Sequence, residues 1–418
     1  MKNQFTHAAI IPLIGGMPIA QQMSFDRPPE YVLSYTAFAS NDSHYIHWLN
    51  NIRNFDVPYV VLDSADEQPK TIAESCRRVD AICATPPCAG LSSLSVTSNA
   101  NSPVNDWMYT SASDILEHYR PRVFWGENAP RLFTSKGQPV VDKLKEIGEK
   151  NGYSMMLYST QSRLHGNPQI RPRTFFFFFE GDEVPIFSFF RKDQETIEQI
   201  LEMETADDDL MNIQITEGNP DDHAWAMAAK HFAEVDTLAE LYHKIDKSAN
   251  LINYAVEKSE SFEKLSEYFT SIGKDKEAAR VLRMKAKIDD GKGYWSHGVT
   301  LAKNETPSLI GVIPSALIST NQETQTSRYL TLRDALRIMK MPEDFILNHL
   351  RPVSCTNAIC QNVPVLTAKD MSDSIIDHLN GNLPTVRAKE VRINNVSKQI
   401  LVDGKPYQTN TGNAFSMF

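Results

Sequence analysis

The chain has no run of 18 apolar residues, and its first residues show no basic segment leading into an apolar one. A bilayer span needs about 20 apolar residues and a secretory leader needs that basic-then-apolar order. A cytoplasmic protein with no membrane partner is therefore expected. Cysteine is scarce: the five present, spread through 418 residues, suit a reducing compartment better than a disulfide framework. None stand as Cys-x-x-Cys, the spacing of structural zinc sites, so no metal is expected. Positive charge is also short. The 42 basic side chains face 52 acidic ones, a net charge of −10, which argues against a protein that coats nucleic acid nonspecifically. The deficit is local, because residues 191–290 hold 23 acids and 13 bases while the remainder carries 29 of each sign. A basic cleft outside that segment is compatible with the total.

The length suggests two or three domains, and 41% hydrophobic with 22% charged residues is ordinary for a globular chain. Residues 7–16 read as a buried strand running into a glycine turn, the form of a first strand in a nucleotide or S-adenosylmethionine fold. Strands over 31–38, 58–62 and 79–84 follow, with a helix over 43–50. Asp42, near the second strand's end, stands where an acid takes ribose hydroxyls or caps a helix. Asp63 ends the third strand. The fourth stops at Pro86-Pro87, which cannot donate to a sheet ladder, and delivers Cys88. In open α/β sheets the carboxyl ends of strands are where chemistry sits.

Residues 92–106 are rich in Ser, Asn and Thr and have no hydrophobic period, which predicts a lid over Cys88. A helix over 107–119 and a strand over 122–125 then deliver Glu127-Asn128. A helix over 140–151 and a strand over 154–159 lead to Leu164-His-Gly-Asn-Pro-Gln169-Ile-Arg171-Pro-Arg173. At strand period two, Gln169, Arg171 and Arg173 share one face, a set of fixed donors for carbonyl or phosphate oxygens. The five phenylalanines 175–179 predict a strand buried on both faces.

Residues 188–325 are mostly helical, with apolar positions such as Trp225, Ala228, Ala229 and Phe232 at helical spacing. Asp207-Asp-Asp209 and Asp221-Asp222 read as solvated or capping groups. A basic helix over 274–287 carries Lys276, Arg280, Arg283 and Lys287, suited to phosphate contacts or to a solvated face. Gly293-Tyr-Trp295 and residues 306–320 are candidate base-reading loops. Thr331 with Asp334 forms a capping box, and Asp403-Gly404 marks a hairpin.

Taken in order, these motifs resemble those of the DNA (cytosine-5) methyltransferases. The matching residues are Ile14-Gly15-Gly16, Pro86-Pro87-Cys88 with Ser92, Glu127-Asn128, and Gly166-Asn-Pro-Gln169-Ile-Arg171-Pro-Arg173. Further on come Arg328-Tyr-Leu-Thr331-Leu-Arg333-Asp-Ala335 with Met341-Pro-Glu-Asp-Phe345, and lastly Gln361-Asn362-Val363-Pro364. The resemblance implies an α/β fold: a doubly wound, Rossmann-like S-adenosylmethionine-dependent catalytic domain with an inserted, largely helical target recognition domain. The corresponding division is a core over 1–187, a recognition domain with an acidic helical insert over 188–325, a return to the core over 326–382, and a hairpin and tail over 383–418.

The implied activity is methyl transfer from S-adenosyl-L-methionine to carbon 5 of a cytosine flipped out of double-stranded DNA. Carbon 5 is a poor nucleophile until a thiolate adds to carbon 6, and a free thiol titrates near ~8.5, so the site must help form the thiolate. By the resemblance Cys88 is the nucleophile and Glu127 engages ring nitrogen 3 and the exocyclic amine. Arg173 holds the base carbonyl or a phosphate, and Arg171 positions the cysteine and the acid. Ile11, Gly15, Gly16, Asp42, Asp63 and Pro87 fall in the cofactor pocket. Ser92, Gln169, Arg280 and Arg283 fall to DNA, with Gln169 supporting the recognition domain or catalytic loop, and the acidic insert offers a surface for a protein partner.

The sequence departs from the family pattern at four places. Ile11 and Leu13 replace an aromatic residue and a glycine, and the acid of the second motif is either Asn41 or Asp42. Cys360-Gln361 replaces a Gly-Asn pair, and Ala89 replaces a glutamine. Three of these lie around the cofactor, which keeps open a modified donor. A noncatalytic DNA-binding or interaction module is the reading of a different class, and the intact Cys88, Glu127, Arg171 and Arg173 argue against it.

Overall fold

The computed structural model describes residues 4–62, 68–92, 99–294, 296, 298–311, 316–347 and 351–407. The first half supplies strands β1 (His7–Ile10), β2 (Val32–Tyr35), β3 (Tyr59–Leu62), β4 (Ala81–Ala84), β5 (Val123–Asn128), β6 (Tyr153–Gln161), β7 (Gln169–Ile170), β8 (Pro172–Glu180) and β9 (Glu183–Pro185). Next come β10 (Ala249–Asn250), β11 (Thr300–Leu301), β12 (Thr306–Pro307), β13 (Leu317–Asn321) and β14 (Thr326–Tyr329), then β15 (Thr385–Arg387), β16 (Glu390–Asn394), β17 (Gln399–Val402) and β18 (Lys405–Pro406). Ten of them build one sheet in the order β18-β17-β16-β6-β8-β5-β4-β1-β2-β3. Strands β1 to β5 run parallel, and β8 lies antiparallel between β5 and β6. The result is a mixed α/β fold around a mostly parallel central sheet. Its order reverses at β1, so the carboxyl ends of β1, β2 and β4 open on a switch-point crevice.

The phenylalanine run behaves as its strand period demands. Phe175, Phe177 and Phe179 join the apolar layer containing Met17 and Ile375, whereas Phe176 and Phe178 join the opposite layer with Leu144 and Ile115. All five have no exposed surface. One buried polar group crosses this core. Trp125 Nε1 donates to Gln21 Oε1 at 2.6 Å, so Gln21 Nε2 faces the Ala8 carbonyl at 2.9 Å and His7 Nδ1 at 3.0 Å. His7 Nδ1 must therefore accept, leaving Nε2–H to donate to the Arg27 carbonyl at 2.9 Å. Burial pushes the His7 imidazole down to about 4, so it is neutral in this tautomer.

The helices α1 (Gly16–Phe25) and α2 (Ala39–His47) follow β1 and β2. The second begins earlier than its sequence suggests, without a side-chain cap, and takes Asp42 into its first turn on a buried face. Later come α3 (Gln68–Ser75), α4 (Asp106–Asp114) and α5 (Gln138–Asn151).

Helices Ala224–Ala233, Leu238–Lys244, Leu251–Ser259, Phe262–Ser271 and Asp275–Asp289 occupy the middle of the chain. Side-chain oxygens of Thr237, Asn250 and Ser261 accept first-turn amides of three of them. These helices share an apolar cluster around Trp225, Leu265, Phe269 and Val281, closed by Leu301, Ile318 and Tyr329 from the small β10-β11-β13-β14 sheet. Of the acidic groups read as solvated or capping, Asp209 has a buried partner instead, whereas Asp221 does cap, taking the first amide of helix Leu238–Lys244. Asp209 takes both Nε (2.6 Å) and Nη2 (2.9 Å) of the buried Arg333. Burial raises its carboxyl, but Arg333 and the Met211 amide outweigh that and hold it below the usual range. Asp221 binds Lys230 at 2.9 Å and also accepts the Leu238 amide at 3.0 Å.

Thr331 and Asp334 form the expected reciprocal capping box at helix Leu332–Ile338. At the far end β16 pairs with β6 and extends the main sheet. The β17–β18 hairpin turns at Asp403 and Gly404, with φ of 45° and 76°, the left-handed pair that a two-residue hairpin turn requires. No described helix is long and apolar enough to cross a membrane.

Candidate active site

Four side chains expected to act lie at or just beyond the carboxyl ends of β4 and β5 and around the start of β8. After Ala84 the chain passes through Thr85-Pro86-Pro87 to a half-buried Cys88. Asn128 ties the neighbouring strand end to this turn: its Nδ2 donates to the Pro87 carbonyl at 3.4 Å, and its Oδ1 accepts the Ala129 amide at 2.8 Å. Burial pushes the Cys88 thiol up; Arg173 and Arg171 pull it down and Glu127 pushes it further up. The resting group is therefore a thiol, not a thiolate. Glu127 is 2% exposed. Burial raises its carboxyl, opposed by Arg173 and then Arg171. Arg173 Nε meets Glu127 Oε1 in a close ion pair. Thus Cys88, Glu127 and the two arginines form one electrostatic unit, in which each group alters the proton affinity of the cysteine.

Arg171 is 1% exposed and faces main chain. Nη1 donates to the Leu309 carbonyl at 2.8 Å, and Nη2 to those of Cys360 at 2.6 Å and Asn362 at 3.0 Å. Asn362 continues the connection, since its Oδ1 accepts the Gly16 amide at 2.8 Å. A Cβ at Gly16 would sit 2.1 Å from the Val363 carbonyl oxygen, so glycine is required there by packing. Gln169 is buried in β7; its amide donates to Asn167 Oδ1 at 3.1 Å and its Nε2 to Met339 Sδ at 3.4 Å.

The loop after β1 is unusual. Ile11 and Leu13, both non-glycine, have φ of 51°, and Gly15 has φ of 101°. Asp42 braces it: Oδ1 accepts the Leu13 amide at 2.9 Å and Oδ2 accepts the Tyr59 hydroxyl at 3.2 Å. Burial raises the Asp42 carboxyl to about 7. Beside the loop Trp107 packs on Tyr35 and Phe38, with ring centroids 5.1 and 4.8 Å apart.

The family model for C-5 cytosine-specific DNA methylase matches residues 15–377. The chain belongs to that family. A C-5 cytosine-specific DNA methylase transfers a methyl group from S-adenosyl-L-methionine to cytosine in DNA, and this is the enzyme's activity and cofactor. No curated protein sequence matches the chain. Among solved structures, the Entamoeba histolytica methyltransferase EhMeth is similar with TM-score 0.58 and 12% identity, over 90% of this chain and 99% of that one. A putative DNA modification methyltransferase encoded within an Escherichia coli prophage gives 0.55 and 15%, over 90% and 100%. Spodoptera frugiperda DNMT2 gives 0.50 and 14%, over 89% and 99%. At such identities the likeness concerns the fold.

The methylase's sequence-derived site residues fall into three groups. Cys88, Glu127, Arg171 and Arg173 come together, with Pro87 one residue away. Ile11, Gly15, Gly16 and Asp42 gather at the β1 loop, and Asp63 lies outside the described residues, as do positions 93–98 of the expected lid. Ser92 is half-buried, and its carbonyl accepts Arg131 Nη1 at 3.3 Å. Arg280 and Arg283 stand on helix Asp275–Asp289, where the Arg280 guanidinium lies 5.4 Å over the Trp225 ring while Arg283 is exposed. Asn362 received no role from sequence although it lies within a quoted motif; its partner is 346 residues away. The β1 loop suits S-adenosyl-L-methionine. Asn362 takes the Gly16 amide and Pro18 has none, which leaves the Met17 amide of the first turn of α1 for a carboxylate, and Trp107, packed on Tyr35 and Phe38, offers apolar ring surface for a purine.

Proposed function

We propose that Cys88 is the nucleophile of this methylase, Glu127 the group that engages the cytosine's ring nitrogen 3 and amine, and Arg173 the donor to its carbonyl. The convergence of a protonated thiol, a buried carboxyl and an arginine at the carboxyl ends of adjacent strands carries this reading. A raised Glu127 is suited to share a proton with ring nitrogen 3, which offsets the negative charge that develops as sulfur adds to carbon 6. As Glu127 turns to the base, Arg173 is released from its ion pair toward the carbonyl. Arg173 also favours the thiolate of Cys88 as it forms. Arg171 acts through the main chain of residues 360–362 and positions the pocket. Bound S-adenosyl-L-methionine supplies an electrophilic methyl group; Gly15, Gly16 and the Tyr35, Phe38 and Trp107 rings hold it, and Asp42 braces their loop. The Cys88 thiol gives its proton to solvent as sulfur adds; after transfer, solvent takes the carbon 5 proton and the sulfur departs, giving 5-methylcytosine and a Cys88 thiolate that takes a proton back.

In this reading residues 188–325 form the target recognition domain, supported by their separate apolar cluster and by the pairing of β12 with β7 beside the catalytic arginines. Residues 1–187 and 326–382 make the catalytic core, extended by the hairpin after residue 383. Double-stranded DNA is the partner, and the acidic helical surface is suited to a protein. Incubation with duplex DNA containing 5-fluorocytosine and cofactor tests the assignment, because fluorine at carbon 5 blocks release. The expected result is a covalent adduct at Cys88, lost in Cys88→Ala; an adduct that survives the substitution refutes the nucleophile.

A further inference from the structure

Eight large apolar side chains are exposed among the described residues, and five of them fall on two faces of the middle segment. The first face is a ledge over residues 203–213, held against helix Leu332–Ile338. Arg337, buried beneath it, donates from Nη1 to the Met203 carbonyl at 3.1 Å and from Nη2 to the Glu204 carbonyl at 2.9 Å. Arg333 holds the Asp209 carboxylate through Nε at 2.6 Å and the Met211 carbonyl through its amide at 2.9 Å, which fixes Leu210 between them. The Ile213 carbonyl accepts the neighbouring Leu332 amide at 3.0 Å. Arg333 and Arg337 stand roughly 6 Å apart along the helix, at about 1.5 Å per residue. Met203, Leu210 and Ile213 are thus anchored close together, and their side chains face solvent, Leu210 at 66% exposure. Glu204, Asp207 and Asp208 of the same stretch are exposed and form no ion pair among the described residues. A surface held this firmly loses little entropy when covered, and covering its apolar side chains is favourable.

The second face belongs to helix Asp275–Asp289, which buries Ala278, Val281 and Met284. Its outward side carries Ala279, Leu282 and Ala286 at helical spacing, with Leu282 at 50% exposure and Ile288 exposed at the end. Lys276, Arg283 and Lys287 edge that stripe and form no ion pair among the described residues. The two faces are complementary: each is apolar at its centre, one with three unpaired acids and the other with three unpaired cations. Two chains of net charge −10 repel in most approaches. The approach that sets the basic helix of one copy on the acidic ledge of another is attractive instead. DNA suits the cations but leaves Leu282 and the ledge uncovered, whereas a second copy covers both.

We propose that this chain pairs with a second copy of itself about a twofold axis, each copy seating its basic helix on the other's ledge. The inference rests on the proposed reading of the acidic middle segment as a protein-binding surface and is independent of the catalytic assignment, on which Cys88 adduct formation by the same preparations reports separately. The test is sedimentation of the full chain at rising concentration in low and high salt. Wild type is expected to reach the mass of two chains, less readily in high salt. Asp207→Lys with Asp208→Lys, and separately Lys276→Glu with Lys287→Glu, are each expected to raise the dissociation constant at least about tenfold. An equal mixture of the two variants is expected to recover the two-chain mass, because both contacts of the mixed pair again join opposite signs. Leu210→Ser and Leu282→Ser leave every charge in place and are also expected to weaken the pair; they carry the test should thermal melts show that a charge reversal disturbs folding. A wild-type chain that stays single at every concentration overturns the inference, as does a pair that survives both reversals, a mixture that remains single, or a mass that grows beyond two chains. If the helix reversal weakens binding to plain duplex DNA while wild type stays single, the helix serves DNA and the inference is likewise overturned.

Discussion

Replacing Leu13 by glycine is predicted to do less harm than replacing it by alanine, the reverse of the usual order. Leu13 is 7% exposed within the apolar layer that also holds Tyr35, Phe38 and Leu91, and its φ is 51°. Both substitutions remove the buried isopropyl end of the side chain, at about 2–5 kcal/mol by large-to-small precedents. Alanine keeps a Cβ in a left-handed backbone, which costs roughly 1–2 kcal/mol. Glycine is freed of that strain but loses about 0.5–1 kcal/mol more chain entropy on folding. The difference spans roughly 0–1.5 kcal/mol and leaves Leu13→Gly ahead of Leu13→Ala by about 0.75 kcal/mol at its midpoint. Urea unfolding of the full chain, comparing midpoints at equal slopes, measures it. Ala20→Gly is the control: Ala20 is buried within α1, where glycine should cost about 1 kcal/mol. If Leu13→Ala is as stable as Leu13→Gly while Ala20→Gly behaves normally, the backbone strain assigned to residue 13 is refuted.

Asp42 binds its proton more tightly folded, near 7, than unfolded, near 3.8. Its contribution is complete below the lower value and declines as pH rises through 7, so Asp42→Asn should gain thermal stability relative to wild type between pH 6 and pH 8. His7 has the opposite sign, with its pKa lowered from 6.5 to about 4: stability is complete above 6.5 and falls as pH drops toward 4, by roughly 3 kcal/mol. His7→Gln should flatten that acid limb in melts recorded at pH 7, 5.5 and 4.5. Arg171→Lys replaces a fork that reaches three carbonyls by a point donor, and should lower stability by about 2–4 kcal/mol and slow adduct formation even well below its melting temperature. An unchanged rate would show that the main chain at 360–362 holds its place without the fork.

What the sequence made legible was local. The apolar run before Pro86-Pro87 announced a strand end and placed Cys88 there, five phenylalanines announced a strand buried on both faces, and Thr331 with Asp334 announced a helix start. Each depends on neighbours within a few residues. Asp209 was misread because its partner, Arg333, lies 124 residues on, and three adjacent aspartates resemble a solvated loop until the return helix docks against them. The start of α2 was misplaced because helix entry at Phe38 uses no side-chain cap, which removed the usual signal and hid that Asp42 faces inward. Leu13 carried no signal of a left-handed backbone, since leucine disfavours it; only the glycine expected there by family resemblance hinted at one.

The departures around the proposed cofactor loop and the intact residues of the proposed catalytic set are two sides of one connection. Arg171 grips the Cys360 and Asn362 carbonyls, and Asn362 in turn grips the Gly16 amide. Two residues thereby join the strand that carries Arg173, proposed to bind the base, to the loop after β1, proposed to hold the cofactor. The Arg171 contacts use main-chain oxygens, so the side chains at 360 and 361 are free to change without breaking them, as Cys360 and Gln361 have done. Gly16 has no such freedom, because Val363 and Asn362 leave no room for a Cβ. At Leu13 the loop tolerates a side chain because Asp42 holds its amide, which offsets part of the backbone strain. The pattern of retained and altered residues follows from which atoms, backbone or side chain, make the joint between the two halves of the reaction.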